Sequence, residues 1–132
     1  PSIVAMARGL LIWLLIMLVE TVHGVLRGLF IAPLAGAVAA ERIGWPIGAA
    51  LVLGIAMLTI SWTGLTARKQ LLALGAVWAV LTAGFEVMIG MLRGLDARAL
   101  LAELQPIAGS IPWSAALMLA APLLAARLRG VA

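Results

Sequence analysis

The chain is written as long apolar runs broken by short charged interruptions. Four runs are long enough to cross roughly 30 Å of hydrocarbon, which takes about 20 helical residues. They lie at approximately 8–30, 46–66, 71–94 and 111–128. This pattern predicts an all-α, polytopic membrane protein with four transmembrane helices, the first run being a retained span and not a cleaved leader. Pro46 and Pro112 stand where the second and fourth helices are expected to begin, in a first turn where the missing N–H costs nothing. Pro122, inside the fourth run, predicts a kink.

The pattern is written twice. "ETVHGVLRGL" at 20–29 and "EVMIGMLRGL" at 86–95 match at six of ten positions with an offset of 66. "PIGAALVL" at 46–53 aligns at the same offset with "PWSAALML" at 112–119. The expected unit is a helical hairpin in tandem duplication, approximately 1–66 and 67–132 of a single transmembrane domain. Each unit has two spans, so both copies share one orientation, and the implied pseudo-two-fold axis runs along the membrane normal. The outer connectors, 31–45 and 96–110, stay apolar and helix-permissive and predict short interfacial helices. In the second, Asp96 is a candidate N-cap, Leu100, Leu101 and Leu104 share a face, and Pro106 is the expected stop.

Composition strengthens the membrane reading. Hydrophobic residues make up 65% of the chain and charged residues 11%, against about 45–50% and about 25% in soluble domains. The absence of cysteine excludes disulfides and thiolate metal sites. The net charge of +4 does not point to nucleic acid, because the basic residues sit at the ends of apolar runs and form no patch. Arg8, Arg68, Lys69, Arg127 and Arg129 fall on one side. Glu41, Arg42, Asp96, Arg98 and Glu103 fall on the other, with Trp45 and Trp113 at that boundary. Basic loops stay cytoplasmic. The expected location is therefore a bacterial inner membrane, multi-pass, with both termini cytoplasmic.

The unusual feature is charge inside the spans. On a helix Glu20, Gly24 and Arg27 lie within roughly 60° of one another, with His23 on the flank. Glu86, Gly90 and Arg93 repeat the stripe. Gly24 with Gly28, and Gly90 with Gly94, form GxxxG pairs that predict close packing of the first helix on the third, both acidic stripes inward. Arginines near the outer boundary can snorkel to the headgroups. The short glutamates cannot, and a carboxylate at that depth has to be paired, protonated or reached by water. His23 sits between Glu20 and Arg27 and can bridge them. Its counterpart in the second copy is Ile89, which cannot.

Ionisable groups deep in a membrane mark ion or solute pathways by default. The favoured function is transport or conduction of a small ion or solute, by a homo-oligomer because four spans are few. A non-catalytic accessory or scaffold subunit is the alternative, favoured by the scarcity of Ser, Thr, Asn and Gln. A metal site at Glu20, His23 and Glu86 is a minor third, from the Glu-x-x-His spacing. Thr21 is expected to bond its own helix backbone, and Met17, Met88 and Met91 to pack or face lipid. No catalytic triad, phosphate-cradling loop or Cys–His pair is present, so no enzyme and no cofactor are expected. The segment "WLLIMLVETVHGVLRG", residues 13–28, resembles the first helix of the small multidrug resistance transporters. In that family one essential Glu binds a proton or cationic substrate within a dimer. The resemblance implies that role for Glu20, although Glu86 has no counterpart in that pattern. The whole chain resembles short, uncharacterised bacterial four-helix membrane proteins with an "ETVHG" segment, which implies the fold and no activity.

Overall fold

The computed structural model describes residues 3–105 and 109–132. Every regular element among them is helical: α1 (Ile3–Leu26), a π-helical turn (Arg27–Ile31), α2 (Ala32–Ala35), α3 (Ala37–Thr63), α4 (Arg68–Leu92), α5 (Ala97–Glu103) and α6 (Ile111–Leu128). Four segments are long and apolar enough to cross a membrane: Ile3–Ala35, Ala37–Thr63, Arg68–Leu92 and Ile111–Leu128. Their outward faces stay apolar, with Leu34, Leu58, Val80 and Leu92 among the most exposed side chains.

Two expectations about the first connector are corrected. It contains no separate interfacial helix. The first span continues through the π turn and α2, and Gly36, at φ +88°, provides the only break before α3 begins. Pro46 therefore lies inside α3 and not in its first turn. The run 37–45 carries alanines, Glu41 and Arg42, which favour helix, and the chain tolerates the lost bond to the Arg42 carbonyl. At 33 residues the first of these segments is about 50 Å long, longer than a bilayer core is thick, so in a membrane a helix of this length would tilt or protrude. The second connector carries the expected short helix, α5. Asp96 caps α5, its carboxylate accepting from Ala99 N at 2.9 Å. Pro106 lies outside the described residues. Pro112 occupies the first turn of α6, and Pro122 is buried within that helix.

α1 packs on α3, α4 on α6, and α3 on α6, while α1 touches α4 more lightly. Lipid tails are as apolar as leucine, so burial alone does not join such helices; close approach and hydrogen bonds do. At Gly75 a Cβ would collide with the Leu119 carbonyl of α6, so no larger residue permits that α4–α6 approach. Tryptophans join α1 to α4. Trp78, fully buried, donates from Nε1 to Gly9 O at 3.0 Å, and Trp13 donates to Thr82 Oγ1 at 3.0 Å. Trp13 also meets Phe85 edge-on, centroids 6.3 Å apart. Ile12, Ile16, Val52, Ala56, Ile60, Leu71, Leu74 and Met118 fill the core around them.

Candidate polar site within the bundle

Glu20 and His23 face α3, where Gly48 leaves room for them. A Cβ at Gly48 would lie 2.9 Å from Glu20 Oε2 and 3.6 Å from His23 Cε1. One turn away along α3, Gly44 receives Arg27: a Cβ there would lie 2.5 Å from Arg27 Cδ and 2.8 Å from Nη1. Gly44 and Gly48 belong to a buried i,i+4 stripe with Ala40, Val52, Ala56 and Ile60. The charged stripe of α1 is thus seated on the small-residue stripe of α3. Arg27 opens the π turn, a local widening often found where side chains do work.

Within this group, His23 Nδ1 stands 4.0 Å from Glu20 Oε2. Arg27 lies within electrostatic reach of Glu20 but makes no contact within that distance. Glu20 Oε1 and His23 Nε2 are both buried and have no hydrogen-bond partner. Such orphaned polar atoms typically cost about 1–3 kcal/mol each, so the pair is incomplete as it stands. Thr21 bonds Met17 O at 2.7 Å, serving its own helix.

Glu86 is turned to α6, with the Ser114 side chain near it and Glu103 of α5 a charged neighbour. Glu103 in turn accepts from the Ser110 hydroxyl. Gly48 and Ser114 are themselves 66 residues apart. Each glutamate therefore looks at the same position of its own hairpin partner, not jointly inward between α1 and α4. Glu20 and Glu86 nonetheless remain within electrostatic reach of each other. Arg93 is exposed at the end of α4, clear of Glu86.

The two GxxxG pairs do not join α1 to α4. Gly24 and Gly28 have no other atom within 4 Å of where a Cβ would lie, so within one chain they pack against nothing. Gly90 and Gly94 end α4 instead. Gly94, at φ +84°, takes the left-handed cap that glycine favours, with Leu95 N bonding Gly90 O at 3.0 Å and Gly94 N bonding Met91 O at 3.0 Å. Leu95 and Leu100 cover Gly90. Among the described residues no group of three or more His, Asp and Glu side chains stands close enough to hold a metal ion. Surface grooves along α4 and between α4 and α6 are lined mainly by apolar side chains, with Arg127 in the second, and neither is lined by Glu20.

Gly44, Gly48 and Ser114 are the site residues that sequence reasoning missed. The signal for the first two was present, two glycines four apart, but starting the helix at Pro46 split the pair. No family model, curated protein or solved structure matches the chain.

Proposed function

We propose that the protein is a multi-pass bacterial inner-membrane protein, both termini cytoplasmic, that moves a small cation or proton as a homo-oligomer and performs no catalysis. The observation that carries this reading is the pair of buried atoms without partners, Glu20 Oε1 and His23 Nε2. A carboxylate and an imidazole left incomplete inside an apolar bundle suit an occupant that comes and goes. Glu86 stands within electrostatic reach of Glu20, and Glu103 within reach of Glu86. Arg27, seated on Gly44, counters the charge of Glu20 between occupants. The hairpin duplication agrees with the shared offset of the Glu20–Gly48 and Glu86–Ser114 contacts.

The test is reconstitution in liposomes, with proton and monovalent-cation flux measured for wild type, Glu20→Gln and Glu86→Gln. Flux in the wild type that either substitution abolishes, with thermal stability retained, supports transport. Absence of flux in the wild type contradicts it. A second reading, an accessory subunit, draws on the uncovered Gly24 and Gly28, which leave one face of α1 open to a helix of another chain. That reading expects no flux, and co-purification with a membrane partner that Gly24→Leu removes.

A further inference from the structure

Five cations gather where α1 and α4 begin and α3 and α6 end: Arg8, Arg68, Lys69, Arg127 and Arg129, with no acidic residue among them. Two are committed to the fold. Arg8 donates to Trp62 O at 2.9 Å and lies over the Trp62 ring, 5.1 Å from its centroid. Arg129 donates to Met57 O at 3.0 Å. Both thereby tie their helices to the last turns of α3. Arg68, Lys69 and Arg127 are exposed and make no side-chain hydrogen bond or ion pair among the described residues. The uncommitted cations are thus the three on α4 and α6.

Arg127 stands at an open groove of about 400 Å³ between α4 and α6. Leu72, Ala116, Leu119, Ala120 and Leu123 line it, and Arg127 forms part of its wall. Arg68 and Lys69 precede Leu72 by four and three residues, which sets them one turn away on the same face of α4. The small side chains of Ala116 and Ala120 keep the groove open along its length.

We propose that this groove binds an anionic phospholipid, one acyl chain lying against the α4–α6 aliphatic wall and the phosphate held by Arg127 with Arg68 and Lys69. The groove is apolar along its wall and cationic at one end only, the shape and polarity of a lipid whose headgroup carries negative charge. Basic pockets between membrane helices recognise such headgroups through the same attraction. The proposal rests on the membrane placement of the four helices and is independent of transport.

Native mass spectrometry after detergent extraction, with phosphatidylglycerol and phosphatidylcholine of matched chains, tests it. Wild type is expected to retain phosphatidylglycerol preferentially. Arg127→Gln is expected to reduce that retention about fivefold, and Ala120→Phe, which fills the groove, to reduce it as well. Arg129→Gln removes a charge from the same end but outside the groove and is expected to leave retention unchanged. Equal losses in Arg127→Gln and Arg129→Gln, or no headgroup preference in a carbonate-resistant wild type, overturn the proposal. Release of the wild type from membranes by carbonate overturns the membrane reading together with it.

Discussion

The two hairpins carry the same motif and use it differently. In the first, Glu20 lies over Gly48 and has His23 beside it. In the second, Glu86 has Ser114 opposite, and Ile89 stands where the histidine was. The exchange is reciprocal. Where α3 offers only a hydrogen atom, α1 supplies an imidazole; where α6 offers a hydroxyl, α4 supplies a hydrocarbon. Each glutamate has one polar side chain beside it, and in the first copy Glu20 Oε1 and His23 Nε2 are buried without a partner, the imidazole standing 4.0 Å from the other carboxylate oxygen. Two hairpins with the same motif can thus keep their helix pairing while surrounding the glutamate with different side chains.

Positions related by the offset of 66 make this comparison breakable. The largest difference is expected at Gly75 and Gly9. A Cβ at Gly75 meets the Leu119 backbone, which cannot yield, whereas at Gly9 it meets the far end of the Leu74 side chain. Gly75→Ala is expected to cost about 3 kcal/mol and Gly9→Ala about 1 kcal/mol, read from unfolding in mixed micelles. Equal costs would mean that the hairpins pack alike. Next come Gly94 and Gly28. Gly94→Ala forces a side chain into the left-handed region and is expected to cost about 1 kcal/mol, while Gly28→Ala, in open space, costs nothing in the monomer. A loss at Gly28 that appears only when chains associate would locate an oligomer contact on that face. The smallest effects belong to the arginines. Arg27→Ala removes packing on Gly44 and is expected to cost about 1 kcal/mol. Arg93→Ala, on the exposed end of α4, stays within about 0.5 kcal/mol.

Features decided by local chemistry were readable in the sequence. Four spans followed from run length, the start of α5 from Asp96, the start of α6 from Pro112, and the inward bond of Thr21 from its position in a helix. What depended on which face meets which neighbour was not readable. The same Gly-x-x-x-Gly spacing serves three ends here: empty space at Gly24 and Gly28, a helix cap at Gly90 and Gly94, and a seat for charge at Gly44 and Gly48. Spacing alone cannot separate these. The cap was foreshadowed by Asp96 two residues after Gly94, since a helix that starts at Ala97 requires α4 to have ended. Pro46 misled because proline more often opens a helix than lies within one.

The exchange of companions is tested most directly by a double-mutant cycle on His23→Ile and Gly48→Ser, which gives the first hairpin the polar partner of the second. Stability in micelles is measured for wild type, both single variants and the double variant. Each single change is expected to destabilise: the first strips Glu20 of its companion, and the second crowds the Glu20 carboxylate, whose Oε2 lies 2.9 Å from the new Cβ, with His23 still in place. The double change is expected to recover most of both losses, a coupling of about 1–2 kcal/mol, because a serine hydroxyl then meets Glu20 as Ser114 meets Glu86. Losses that simply add would contradict the account, since His23 and Gly48 would then be independent features and not two halves of one substitution.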